Sequence, residues 1–136
     1  MIDLNDLKTG TIFTNAELME KFSVSNSGGM RRSLKNNVLI LIHKKDSIYQ
    51  DRWQNDKFFY TGMGLKGDQD INFGQNKTLA QSRTNGVTVL LFNNPRPNNY
   101  EYQGEVVLVD TPFYEMQSDG LDKKRQVVIF PLVFKS

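Results

Sequence analysis

Apolar residues in this chain gather into short runs rather than long helical stripes, and that grain favours strands. Residues 38–42 (Val-Leu-Ile-Leu-Ile) are continuously apolar, which fits a buried strand better than so short a helix. Residues 57–61 are aromatic and β-prone, and they end at Gly62-Met63-Gly64, where the chain must turn. Further strand signals cover 87–92, 100–109, 112–117 and 126–134, separated by turn residues at 93–97 and 118–120. Pro131 inside the last of these predicts an edge position or a bulge, because proline cannot donate to a ladder.

Helical signals are fewer. Thr14-Asn15-Ala16-Glu17 reads as a capping box, with a short helix following through Phe22 and burying Leu18, Met19 and Phe22. The stretch Ser25-Asn26-Ser27-Gly28-Gly29 then breaks it, so a turned or mobile loop delivers Met30 and Arg31. Asn76 is the expected N-cap of a second helix over 77–83, which stops at Asn85-Gly86. Two or more short helices with six or so strands predict an α+β domain built on a curled, mostly antiparallel, barrel-like sheet. Neither a repeat nor a linker divides it, so residues 1–136 are expected to form one domain.

Composition narrows the chemistry. Without cysteine there are no disulfides, thiolate metal sites or thiol nucleophiles. His43, the only histidine, rules out a multi-histidine metal centre; beside two lysines it reads as a strand-end or surface residue rather than a catalytic one. Asp68 and Asp70 are the one obvious carboxylate pair for magnesium, with a solvated acidic loop as the plainer reading. No cofactor or metal is expected, and nothing resembles a self-sufficient enzyme. No apolar run approaches bilayer length and the N-terminus lacks a secretory pattern, so a cytoplasmic protein is expected. The net charge of +2 does not by itself demand a polyanion. Basic clusters at 30–35, 43–45 and 123–125 either converge on one face to meet phosphates or are scattered, solvated charge.

Between residues 47 and 109 the order of features becomes specific. Tyr49-Gln50-Asp51-Arg52-Trp53 is followed by Phe59-Tyr60-Thr61-Gly62-Met63-Gly64, Gly67-Asp68-Gln69 and Asn76-Lys77-Thr78-Leu79-Ala80. Asn85-Gly86-Val87-Thr88-Val89 and Tyr100-Glu101-Tyr102-Gln103-Gly104 complete the series, with Gly10-Thr11-Ile12-Phe13 upstream. This succession resembles the SRA (SET- and RING-associated, YDG-type) domain, of the PUA-like fold group. The wording around Gly28-Gly29-Met30-Arg31 and Tyr60-Thr61-Gly62-Met63-Gly64 is most similar to SRA-like domains attached to bacterial HNH endonucleases.

The resemblance implies a reader of modified cytosine, 5-methylcytosine or 5-hydroxymethylcytosine, that flips the base out of double-stranded DNA in modification-dependent restriction. The cutting would fall to a nuclease domain in the same or another chain. It places Tyr49 and Tyr60 on the two faces of the base, Asp51 at the cytosine amino group, and Thr61 and Met63 beside the C5 substituent. Gly62 and Gly64 would let backbone approach the base, and Trp53 is either an extra pocket wall or a core residue. Arg31, Arg32, Lys35, Lys44 and Lys45 are candidates for phosphate contacts, and Met30 or Arg31 for filling the gap left in the duplex. The alternative within the same fold group is an RNA-binding module without a closed base pocket; a protein-interaction domain and a magnesium-dependent nuclease are more distant readings.

Overall fold

The computed structural model describes residues 4–44, 49–65, 67–118, 121 and 123–135. In chain order the elements are β1 (Ile12–Phe13), α1 (Asn15–Phe22), β2 (Met30–Ser33), β3 (Val38–Lys44), β4 (Arg52–Gln54) and β5 (Lys57–Thr61). After them come α2 (Gln75–Ala80), β6 (Thr88–Arg96), β7 (Asn99–Leu108), β8 (Phe113–Ser118) and β9 (Lys124–Phe134). The hydrogen-bonded path runs β2-β3-β6-β7-β9-β5-β4, with β1 added on β7 and β8 on β9.

Two features refine the expected barrel. The β3–β6 ladder is parallel, in register from Val38↔Thr88 to Lys44↔Asn94, while the other ladders are antiparallel. The path also has two ends, β2 and β4, so among the described residues the sheet curls without closing.

The apolar run in β3 exists because both of its faces are covered. Leu39 and Leu41 enter a core inside the curl with Phe58, Tyr60, Leu79, Val128 and Phe130. Val38, Ile40 and Ile42 point the other way, into a second core with Phe13, Leu18, Phe22 and Phe92. α1 covers that second face. Its capping box is complete: the Thr14 hydroxyl accepts the Glu17 N–H at 3.1 Å, and Glu17 Oε1 accepts the Thr14 N–H at 2.8 Å. Leu18 and Phe22 are fully buried, whereas Met19 is only partly so. The rings of Phe13, Phe22 and Phe92 meet edge-to-face with centroids 5.8–6.0 Å apart, tying β1, α1 and β6 together.

Three local expectations are corrected. α2 starts at Gln75 behind Gly74, so Asn76 is a buried residue of the first turn rather than a cap. β6 continues through Pro95 to Arg96, and Asn94 Nδ2 holds the hairpin by donating to the Arg96 and Asn99 carbonyls at 2.8 and 2.9 Å. β9 is an inner strand, and Pro131 is tolerated for a positional reason. Its carbonyl, on the β7 side, accepts the Val109 N–H at 3.0 Å. On that side β9 changes partner, pairing β8 up to Ile129 and β7 from Leu132, so the missing N–H falls where no ladder donor is required.

Candidate nucleic-acid interface

The ends of β3, β5 and β6 meet the loop ahead of β2 around a cavity of about 250 Å³. That lies below the roughly 300–1,000 Å³ of pockets for drug-sized ligands and suits a single small ring. Tyr49, Asp51, Tyr60, Thr61, Gly62 and Met63 all line it. The sheet does not close here by strand pairing. Instead the Tyr60 hydroxyl crosses from β5 to the carbonyls of Gly29 and Ile42 at 2.8 and 3.1 Å. Burial, with the Asp51 charge nearby, pushes the Tyr60 phenol well above its usual range, so it remains a neutral donor.

Asp51 crosses the same seam. Its Oδ1 accepts the Thr61 backbone N–H at 2.7 Å, and its Oδ2 lies 2.9 Å from His43 Nδ1. The carboxylate side chain is only 4% exposed. Tyr49 is partly buried; its hydroxyl reaches the Gly64 carbonyl at 3.5 Å, and the Arg125 guanidinium lies 5.9 Å from its ring centroid.

The segment 61–64 is held by side chains from four other parts of the chain. Asn76 Oδ1 accepts the Met63 N–H at 2.7 Å, and its Nδ2 donates to the Met63 and Asp70 carbonyls, both at 3.1 Å. Gln69 Nε2 donates to the Gly62 carbonyl at 2.7 Å and to the Gly64 carbonyl at 3.1 Å. Gln117 Nε2 reaches Thr61 Oγ1 at 3.2 Å, while its Oε1 accepts the Gln50 N–H at 3.2 Å. Arg125 Nη1 donates to the Gly64 carbonyl at 2.5 Å. Gly62 is required by this packing, since a Cβ there would stand 2.6 Å from Asn76 Oδ1 and 3.1 Å from the Phe130 ring. The reason for glycine is therefore internal close approach, whatever else the cavity admits.

Several sequence candidates lie elsewhere. Trp53 is 49% exposed and packs between Phe58 and Phe134, with centroids 5.1 and 5.3 Å away, so it is no wall of this cavity. Met30 is buried in the inner core, although it touches the cavity. Arg31 lines the cavity too, yet its guanidinium is occupied by the chain. It donates to the Gly28 carbonyl at 2.9 Å, Asn15 Oδ1 at 2.7 Å and the Ser25 carbonyl at 3.3 Å, and stacks 5.3 Å from the Tyr100 centroid. Both are thus ill placed to enter a duplex. Arg32 binds the Ser33 and Val38 carbonyls and Asn37 Oδ1, at 2.6, 3.1 and 2.7 Å. Lys35 is exposed on the β2–β3 turn, roughly 10 Å along the hairpin from the cavity end. Lys44 is exposed and lines the rim, whereas Lys45 lies outside the described residues.

Residues the sequence did not assign to a pocket complete the site. His43 holds Asp51, and Asn94 and Tyr100 add polar lining from the β6–β7 hairpin. A groove of about 590 Å³ adjoins the cavity, sharing Gly28, Gly29, Tyr49 and Met63 with it. Leu65 and Phe73, 68% and 56% exposed, face that groove from the 62–75 loop. Asp68 and Asp70 each accept a backbone N–H at 2.8 Å, from Gln126 and Asn72 respectively. Among the described residues no cluster of three or more acidic or histidine side chains is arranged to hold a metal.

Known structures share this architecture. The sulfur-binding and SRA domains of ScoMcrA, solved with phosphorothioated DNA, match with a TM-score of 0.75 at 18% identity, over 93% of this chain and 39% of that one. The phosphorothioation-dependent type IV restriction endonuclease ScoMcrA matches with a TM-score of 0.74 at 18% identity, over 93% and 28%. The chain thus spans well under half the length of these ScoMcrA polypeptides. The SUVH5 SRA domain, solved in complex with methylated CHH DNA, gives a TM-score of 0.74 at 21% identity, over 99% and 94%. No curated protein matches the chain in sequence. The family of ScoMcrA-like SRA domains matches residues 9–134, nearly the whole of the chain, and the chain belongs to that family.

Proposed function

We propose that this chain reads modified cytosine in double-stranded DNA by drawing the base out of the helix into the cavity between β3 and β5. The observation that carries the reading is Asp51, an almost buried carboxylate lining a cavity of single-ring size between two tyrosines. A carboxylate offers about four acceptor sites, and protein donors engage two of them here. Cytosine presents an amino donor where thymine presents a carbonyl, so an acceptor selects the former.

Extruding a base costs a few kcal/mol, and stacking on aromatic rings returns about 1–3 kcal/mol per base. In this reading Tyr49 and Tyr60, which both line the cavity, supply those rings. Thr61 and Met63 border the C5 position, and the flexible Met63 thioether accommodates a methyl or a larger group. Phosphate attraction supplies most of the affinity, with Lys44 at the rim as its first contributor. The complexes of relatives with phosphorothioated and methylated DNA agree with a reader role. Such a reader serves a restriction system in the cytoplasm, with cleavage assigned to an HNH-type nuclease elsewhere in the same polypeptide or in a partner.

The test is binding to matched duplexes carrying cytosine, 5-methylcytosine, 5-hydroxymethylcytosine, its glucosylated form or a phosphorothioate link, at two salt concentrations. Tyr60 is 3% exposed, so its truncation would damage the core, and Tyr49→Ala is the informative variant. One base-modified duplex should be preferred over plain cytosine by at least about fourfold, the worth of one buried methyl, and Tyr49→Ala should erase that preference. Equal binding to the plain and all base-modified duplexes, unchanged by Tyr49→Ala, would overturn the reading.

A further inference from the structure

Thymine and 5-methylcytosine carry the same methyl group, so a pocket for the C5 substituent cannot tell them apart. Discrimination must come from the base edge, and an edge acceptor works only if its carboxylate is held in one orientation. Free rotation would let a side chain present either oxygen at any angle, and directional selectivity would be lost.

Asp51 lies just ahead of β4, and one anchor alone, the Thr61 N–H on Oδ1, would leave it a hinge about that bond. The second anchor is His43 at the end of β3, whose Nδ1 lies 2.9 Å from Oδ2. An ionised carboxylate only accepts, so Nδ1 carries the proton in this pair. The imidazole is itself packed. Its ring meets Phe58 edge-on at 5.4 Å, which fixes one side of it, while on the β6 side it borders a small cavity with Asn93, Asn94 and Pro95. His43 does not line the base-sized cavity, so it reaches the ligand only through Asp51.

We propose that His43 is a positioning residue for Asp51 and sets the preference of the cavity for an amino-bearing over a carbonyl-bearing base edge. This rests on the reading of the cavity as a base pocket. With both oxygens anchored from behind, the free lone pairs of Asp51 face one way, and an incoming amino group finds them aligned. Without His43 the carboxylate turns about its remaining bond and accepts from cytosine less well.

The experiment compares a duplex bearing one 5-methylcytosine with the same duplex bearing thymine opposite the same guanine, and reads the ratio of the two affinities. Two donor-free variants, His43→Ala and His43→Leu, are run so that either suffices if the other fails to fold, as judged by thermal melting. His43→Asn restores an N–H close to the position of Nδ1. Asp51→Asn is the control for the pocket itself. The donor-free variants should lower the ratio about tenfold, the worth of a hydrogen bond to a charged group, and His43→Asn should recover most of it. A wild-type ratio in a folded donor-free variant, or no recovery in His43→Asn, overturns the role of His43. If Asp51→Asn leaves the ratio unchanged, the base-pocket reading fails instead.

Discussion

The two walls of the cavity are built on opposite plans. On the β5 side, the backbone of residues 61–64 is held by Asp51, Asn76, Gln69 and Arg125, side chains drawn from well-separated parts of the sequence. On the β2–β3 side the wall is a glycine-containing loop tied chiefly by Arg31, with Asn15 on the Asn26 carbonyl and Tyr60 on the Gly29 carbonyl, and with the exposed Lys44 at its rim. One wall is a fixed template and the other a short tether carrying charge. The proposed reading would use that division, because recognising a flat base needs geometry on one side and accepting a DNA backbone needs reach on the other.

The sharpest way to break this contrast is Asn76→Ala. It leaves the Met63 N–H, the Met63 carbonyl and the Asp70 carbonyl without their partner, and should cost about 3 kcal/mol in urea unfolding. A loss below 1 kcal/mol would mean that the β5 wall does not depend on this clamp. Next in size is Arg31→Met, expected to cost about 2 kcal/mol because its guanidinium ties Gly28, Ser25 and Asn15. Its plot of log affinity against log salt should keep the wild-type slope. A slope shallower by one unit would instead make Arg31 a phosphate contact. Lys44→Ala should behave in the opposite way, with stability within about 0.5 kcal/mol of wild type and a salt slope shallower by about one unit.

A modest effect, confined to stability, is expected behind the β5 wall. Glu115 accepts from Arg52 Nη1 and Nη2 at 2.8 and 2.7 Å and from Gln117 Nε2 at 2.9 Å. The Arg52 guanidinium holds the Glu115 carboxyl below its ordinary value of 4.5. A lowered folded-state value adds stability that is present above the ordinary value and lost as the pH falls through the lowered one. Glu115→Gln should therefore cost less than about 1 kcal/mol at neutral pH, since the pair is partly solvated. In chemical unfolding series the difference from wild type should vanish in acid, and a difference that persists there would remove the ion pair as its source.

The contrast also explains how far the sequence could be read. Local signals survive because they are local: the Thr14–Glu17 box needs no distant partner, and the run in β3 and the turn at Gly62-Met63-Gly64 are legible as pattern although distant side chains hold them in place. The ordered resemblance reached further and brought Tyr49, Asp51, Tyr60 and Met63 to one cavity. It did not reveal which charges are free. An arginine beside two glycines looks the same whether it meets a phosphate or the Gly28 carbonyl, and only the fold decides. Trp53 is ambiguous for a similar reason, as its ring stacks equally well on a base or on Phe58 and Phe134. The parallel β3–β6 pairing left no trace because it joins segments fifty positions apart, Val38 with Thr88. His43 was read as a strand-end residue, which it is; its link to Asp51 depends on how the intervening chain returns across the seam.

The open curl has a further consequence for how the domain behaves among its own copies. A sheet that does not close leaves free edges at the ends of its path, and free edges invite other strands to add on. Here the terminal strands β4 and β2 are only three and four residues long, and they carry Arg52 and the pair Arg31 and Arg32. These guanidinium groups are engaged within the chain, so it is the shortness of the two strands that leaves an approaching copy few backbone groups to pair with. The ends of the open path therefore offer little template for aggregation, in contrast to the six-residue outer strand β8, which exposes Phe113, Tyr114 and Met116.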